Sequence, residues 1–248
     1  MQKSLPSALD LIKDSWSLFT TSWNELVKIS IWFLYIGLAH FALAVLQKIA
    51  PTAETILFIP VFVAMIILEI WISVRLMRAV LAVDSGKKPD RSRAERALAW
   101  RLWLPLVLVG MLQGFIILGG IVLFILPGIF LFVAISFSQF CLIDQDLRGL
   151  KAISASYQLV KGRWFAVLWR MFATGFIFGL GVMIVVGVLL AILAALAGQS
   201  ALRENVHPLV SGTFALFQSI VQAAVIPLFV IVHMKIYRAL KQTRGIIS

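Results

Sequence analysis

The chain is poor in charge, in cysteine and in histidine, and each shortage closes a class of explanation. Only 13% of its 248 residues are Asp, Glu, Lys or Arg, about half the ~25% of an ordinary globular protein. The apolar fraction is 61%, and a soluble fold of this size has too much surface per volume to hide that. One cysteine, Cys141, allows no intrachain disulfide and no cysteine-based zinc site. Inside an apolar segment it reads as a small packing residue. Three scattered histidines leave few ligands for zinc or iron. His-Glu-x-x-His, the phosphate-binding Gly-x4-Gly-Lys-Ser/Thr and Gly-x-Ser-x-Gly are all missing. The Asp-rich signature of membrane head-group transferases is missing too. The expectation is a protein that is not an enzyme and needs no cofactor or metal.

What the chain has instead is long apolar runs. A helix needs about 20 mostly apolar residues to cross about 30 Å of hydrocarbon, and six segments qualify: 26–46, 54–83, 103–126, 127–143, 164–197 and 209–237. Leu126-Pro127-Gly128 divides the third from the fourth. One helix through that run would be twice the bilayer thickness. Proline suits the first turn of a new helix, and glycine permits tight backbone geometry, so a short hairpin is expected there. The first 26 residues carry Asp10, Lys13, Asp14 and Glu25 before any long apolar run. A cleavable signal peptide has a basic start followed by an apolar stretch, so the first span is expected to stay in the mature protein.

The net charge of +11 would suggest nucleic acid in a soluble protein. Here the basic residues lie between apolar runs, so a nucleic-acid partner is not expected. They are also unequally shared. One set of alternate connections holds Lys3, Lys13 and Lys28; Arg75, Arg78, Lys87, Lys88, Arg91, Arg93, Arg96 and Arg101; Arg148, Lys151, Lys161, Arg163 and Arg170; and Lys235, Arg238, Lys241 and Arg244. The other set holds Lys48 and Arg203. The positive-inside rule places the first set, with both termini, in the cytoplasm.

A pattern precedes the odd-numbered spans. Ser15-Trp16-Ser17-Leu18-Phe19 leads to Trp23, and Ser156-Tyr157-Gln158-Leu159-Val160 leads to Trp164, with one shared spacing. The approach to Trp103 matches more weakly, through Leu98. Helical stretches over 7–19, 91–100 and 149–160 would lie in the inner interface, apolar face down and basic residues outward. The tryptophans would sit in the aromatic belt. The predicted fold is therefore all-α. It is a six-span membrane bundle with three cytoplasmic-side interfacial amphipathic helices, one before each transmembrane hairpin. The whole chain, 1–248, forms one membrane domain with units 1–88, 89–146 and 147–248.

The run Ile125-Leu126-Pro127-Gly128-Ile129 through Asp144 continues with Ala152, Ser156, Leu159, Lys161-Gly162-Arg163 and Trp164. This pattern resembles the YciC-like family of bacterial inner-membrane proteins. It is also similar to the membrane domain beside glycerophosphodiester phosphodiesterase in some bacterial enzymes. The match is clearest over 120–169, and Ile236-Tyr237-Arg238 resembles the end of these proteins. The resemblance implies a six-span protein of a bacterial inner membrane. It brings no catalysis, because the phosphodiesterase chemistry belongs to a separate soluble domain. It singles out Asp144, Ser156, Lys161, Gly162, Arg163 and Trp164 as a candidate motif at the cytoplasmic interface.

Ionisable residues inside a span cost a few kcal/mol or more and are functional candidates by default. Glu69 lies nine residues from Arg78, about 13 Å along a helix, near the midplane. Gln113 falls at similar depth in the third span, and Gln218 and Gln222 lie mid-way along the sixth. Glu69 is expected to meet one of these, or to pair with Arg75 or Arg170 nearer the inner face. Such a cluster is either a polar clasp between helices or a solute or proton site. Arg75 and Arg170 lie near enough to the interface to snorkel. His40 and His233 read as interface or packing residues. Asp144 and Asp146, beside Arg148 and Lys151, read as a surface charge cluster. Gly110-x3-Gly114 and Gly175-x3-Gly179 offer faces for close helix contact, within the bundle or between subunits.

The functional expectation is an accessory or scaffold engaging membrane lipid, with anionic headgroups foremost, or a membrane protein partner at the cytoplasmic leaflet. Each Lys or Arg near such a surface contributes about 1 kcal/mol. The alternative is a small transporter or permease for a lipid-like or small solute, motivated by Glu69 and the glutamines. A lipid enzyme acting through Asp144 is a third reading.

Overall fold

The computed structural model describes residues 5–197 and 208–244. The described residues form helices joined by short turns: α1 (Ala8–Ser30), α2 (Phe33–Ile49), α3 (Pro51–Asp84), α4 (Arg93–Leu123), α5 (Ile125–Ile135), α6 (Ser138–Gln145), α7 (Leu150–Val160), α8 (Trp164–Ala197) and α9 (Pro208–Thr243). Five stretches are long and apolar enough to cross a membrane, α5 and α6 together making one of them. The bent pair α1 and α2 makes a sixth. The chain is thus an all-α, multi-pass membrane bundle. Its surface agrees: Phe58 and Ile59 on α3, Phe115 and Val122 on α4, and Phe172 and Phe176 on α8 all face outward. In water such contiguous apolar faces would aggregate.

Helix starts follow local chemistry. The Ser7 hydroxyl accepts from the Asp10 backbone N–H at 3.1 Å, and the Asp10 carboxylate accepts from the Ser7 N–H at 3.2 Å, a reciprocal capping box. The Ser92 hydroxyl accepts from the Glu95 N–H at 3.1 Å and opens α4. At the 124–128 hairpin the break falls at Phe124, whose backbone is extended (φ −165°, ψ 152°). Proline therefore sits inside the first turn of α5, two residues later than the sequence boundary suggests. Gly120 and Gly128 face each other across this hairpin. A Cβ on Gly128 would lie 3.0 Å from the Ile121 backbone nitrogen, and one on Gly120 would lie 3.0 Å from the Gly128 Cα.

Only one of the three expected interfacial segments is a separate helix. α7 is set off from α8 because Gly162, at φ +78°, takes the left-handed turn between them. The other two junctions hold no glycine. Thr20, Thr21 and Ser22 continue α1 past Trp23, and Arg101 and Leu102 continue α4 into its span. The first break comes instead at Ile31–Trp32, where α1 and α2 meet at 43°. Just before it the Ser30 hydroxyl donates to the Leu26 carbonyl at 3.3 Å, a back-bond that bends helices.

α9 is the central element. It packs along α2 and also touches α1, α3, α7 and α8. Its approach to α2 depends on two glycines. A Cβ on Gly37 would lie 2.7 Å from the Ser219 Cβ and 3.2 Å from the Ala215 carbonyl. One on Gly212 would lie 2.9 Å from the Ala44 Cβ. The Gly-x3-Gly pairs make no such contact within the chain: Gly110, Gly114, Gly175 and Gly179 have nothing among the described residues within 4 Å of an added Cβ. Small residues permit close approach only where a neighbouring helix faces them.

A paired substitution tests this packing. Gly37→Ala should lower thermal stability in detergent, at an overpacking cost of about 1–3 kcal/mol. Gly114→Ala should leave it unchanged or raise it, since alanine is the better helix former by up to about 1 kcal/mol.

Candidate functional site

Direct contacts bring the basic connections together at one end of the bundle. Lys235 of α9 pairs with Asp84 at the end of α3 at 2.8 Å, with Arg238 on the same carboxylate at 3.7 Å. Lys241 pairs with Asp144 at the end of α6 at 2.8 Å. The Tyr237 hydroxyl donates to Asp144 at 2.8 Å and accepts from the Gln145 amide at 2.7 Å. Arg78 binds Glu95 through two nitrogens at 2.7 and 2.9 Å. Arg91 pairs with Glu25. Arg170 donates to the carbonyls of Pro6 at 2.6 Å and Leu5 at 3.1 Å, tying down the segment ahead of α1. Every helix-to-helix ion pair among the described residues lies here, and so do the start of α1 and the end of α9. Lys48 sits at the other end of α2, while Lys3 and Arg203 lie outside the described residues.

The six residues of the interface motif are brought to one region, and their contacts are structural. The Asp144 carboxylate is engaged by Tyr237 and Lys241, while Asp146 meets Arg148 at the surface, 3.4 Å away. Ser156, on α7, is fully buried and reaches into the break between α5 and α6. Its hydroxyl accepts from the Phe137 N–H at 3.0 Å and donates to the Ala134 carbonyl at 3.1 Å. This break is not legible in the sequence, because nothing in 127–143 but its first two residues punctuates a helix. The Lys161 carbonyl accepts from Arg244, and Arg163 donates to Thr243. Gly162 makes the turn. The Trp164 indole donates to the Phe130 carbonyl at 3.0 Å.

The expected midplane cluster does not form. Glu69 faces outward, and its carboxylate has no partner among the described residues; only its backbone carbonyl is used, by Ser73 at 2.9 Å. Gln113 instead donates to the Ile135 carbonyl at 2.6 Å, beside the same break in span four. Gln218 is exposed and Gln222 half-buried, each without a side-chain partner among the described residues. Arg170 binds backbone carbonyls and Arg75 stacks on an indole, so neither meets Glu69. Depth along a helix placed these residues level with one another, but their helices turn them in different directions.

Two hollows remain. A cleft of about 610 Å³ lies between α3, α4, α5, α6 and α9, walled by Met77, Gly114, Phe132 and Ile226. Gln113, Gln139 and His233 line it, and no charged residue does. His233 bonds its Nδ1 to the Phe229 carbonyl at 3.0 Å, and the Gln139 amide has no partner among the described residues.

The second is a cavity of about 200 Å³ at the basic end, under the α3–α4 turn. Arg75, Arg78, Lys87 and Lys88 line it with Asp90 and Glu95. Behind it stand three tryptophans. Trp71 packs edge-on to Trp32 at 5.4 Å and stacks with Trp100 at 5.9 Å. The Arg75 guanidinium lies 4.6 Å from the Trp71 ring centroid, a cation–π contact. Arg75 is only 5% exposed, and its Nε has no hydrogen-bond partner. The acids nearby are engaged elsewhere: Glu95 by Arg78, and Asp90 by the Ser92 N–H at 2.8 Å and hydroxyl at 2.9 Å. Those bonds hold the Asp90 carboxyl below its ordinary range, so it stays ionised. Of this constellation only Arg75 stood out in the sequence. The available signal was Trp71-x3-Arg75-x2-Arg78, which puts an aromatic and two cations on one helix face just ahead of Lys87-Lys88.

Comparison with family models, curated proteins and solved structures finds no match to this chain.

Ser156→Ala should leave the Phe137 N–H and one lone pair of the Ala134 carbonyl without their buried partner. The expected cost is about 1–3 kcal/mol, read as a lower unfolding temperature in detergent and faster amide exchange at Phe137.

Proposed function

We propose that the protein sits in a bacterial cytoplasmic membrane with both termini in the cytoplasm. There it acts as a non-enzymatic accessory or scaffold that engages anionic lipid headgroups at the inner leaflet. The observation that carries this reading is the gathering of basic residues at one end, several of them left without an acid. Glu25, Asp84, Glu95 and Asp144 are each taken by a cation. Lys87, Lys88 and Arg75 have no carboxylate partner among the described residues. An excess of Lys and Arg marks the cytoplasmic face, and that leaflet carries the anionic lipid that attracts them. The tryptophans at the same level fit an interfacial belt. The resemblance to YciC-like proteins supports the same membrane.

The cleft favours a second reading, a permease for a lipid-like or small solute. It is roomy, mostly apolar and uncharged, as sites for such ligands are. Glu69 lies off this cleft, so a transport test belongs on its lining residues, with Gln139→Leu and Gly114→Leu expected to stop uptake.

For the leading reading, protein taken from vesicles of equal phosphatidylcholine and phosphatidylglycerol should carry a shell enriched in phosphatidylglycerol, read by mass analysis of the retained lipid. The enrichment should shrink with salt, because exposed charges are screened over about 10 Å at 0.1 M. Equal retention of both lipids would sink the reading. A reporter fused to either terminus should be active only on the cytoplasmic side.

A further inference from the structure

We infer that the cavity under the α3–α4 turn is a built site for one phosphate group, in which the buried Arg75 guanidinium binds the phosphate oxygens and Lys87 and Lys88 close over it from the turn. This rests on the lipid-engaging reading above and sharpens it, from a diffuse basic surface to a single headgroup position.

The argument starts from a cost. A guanidinium withdrawn from water without an ion-pair partner is destabilising, and a buried donor left unmet loses the hydrogen bond it had to water. Arg75 is 5% exposed with an unpartnered Nε. Its one strong contact, the Trp71 face at 4.6 Å, holds the plane of the group but satisfies none of its N–H donors. Glu95 could have neutralised it, yet Glu95 is bound through both oxygens by Arg78. The protein therefore keeps a positioned, unsatisfied, planar donor at the wall of a cavity.

The cavity selects the ligand by charge and size. Four cations, Arg75, Arg78, Lys87 and Lys88, face two carboxylates, Asp90 and Glu95, which leaves a net charge of +2. Guanidinium supplies forked donors for two oxygens of one anion, and lysine supplies mobile point charge; the two together suit phosphate. At about 200 Å³ the cavity is smaller than the ~300–1,000 Å³ of pockets that take whole drug-sized ligands. It holds a headgroup fragment and leaves acyl chains outside. Ile29, Ala79 and Ala82 give it an apolar side, where the carbon atoms next to the phosphate would lie. Trp71, which carries Arg75, packs against Trp32 and Trp100, and tryptophans gather at the interface, where lipid phosphates are found. A phospholipid and a soluble phosphate ester present the same group, and the test separates them.

The full chain, in neutral detergent, is titrated below micelle-forming concentration with dioctanoyl phosphatidylglycerol, dioctanoyl phosphatidylcholine or inorganic phosphate. Native mass spectrometry and the unfolding temperature are the readouts. One saturable phosphatidylglycerol, bound at least tenfold more tightly than phosphatidylcholine, is expected. Saturable inorganic phosphate that competes with it equally would support the site with a soluble phosphate as its occupant. Arg75→Gln should weaken that first ligand at least tenfold, and Arg75→Lys less. Should Arg75→Gln fail to fold, the double variant Lys87→Gln/Lys88→Gln removes two exposed side chains of the turn and should weaken it at least threefold. All variants should keep the salt-sensitive anionic shell, which comes from the whole basic end. A wild-type protein with that shell but no saturable first ligand overturns the site and leaves the broader reading standing. An unchanged first ligand in both Arg75→Gln and the double lysine variant overturns it too. Absence of shell and ligand alike would overturn both readings.

Discussion

Within a bilayer no water is at hand for a backbone N–H or C=O, so each must find its partner inside the protein. The architecture follows from that rule and from the few places where the chain departs from an unbroken helix. The α4–α5 turn is a single extended residue, Phe124, placed where the chain reverses. The break in span four is harder to accommodate, since it opens between two buried stretches. The side chains around it answer carbonyl by carbonyl: Ser136 donates to Val133, Ser156 to Ala134, and Gln113 and Ser138 to Ile135. Thr174, on α8, uses its hydroxyl in the same way on the Arg170 carbonyl. Polar residues in the spans therefore serve first to complete the backbone, and only what is left over is free for a ligand.

At the basic end the solvent changes and so does the logic. Ion pairs there join helices far apart in sequence: α3 to α9 through Asp84, and α6 to α9 through Asp144. Each is partly sheltered, where a pair between helices fixes register more than it adds stability. The exception is Arg75, a cation held by an aromatic face with no acid. Its neighbours Arg78 and Arg91 show how the same turn behaves when an acid is supplied. The difference between a cation that joins helices and one that awaits an anion is thus visible within ten residues of chain on either side of Ser85.

Much of the fold was legible in the sequence, for a simple reason. Hydropathy and charge asymmetry are summed over twenty residues, and errors at single positions cancel. The interfacial segments were half legible: the glycine at 162 marked a true turn, and its absence near Trp23 and Trp103 should have warned against the other two. The site was less legible because it depends on azimuth. One residue turns a helix by about 100°, so Glu69 and Gln113 can share a depth and never meet. The break at Ser136–Phe137 could not be read locally at all, since its cause, Ser156, enters from a different helix. The glycines that set helix spacing, Gly37 and Gly212, stood alone, while the paired motifs that look like contact sites face open space.

The central place of α9 has a consequence for biogenesis. Its main partner is α2, so the most extensive seam among the described residues joins helices far apart in the chain. While the ribosome is still making the earlier spans, α2 holds its glycine face toward lipid with nothing to meet it. The charges of Asp84 and Asp144 likewise have no counterion until Lys235 and Lys241 emerge. Helices adjacent in sequence, such as α2 with α3 and α4 with α5, can pack before α9 is made, but the α2 seam and these two ion pairs form only once it is. A chain stopped short of α9 would lose the seam and both ion pairs together, leaving a product the cell's quality control can distinguish by its unmatched intramembrane surface.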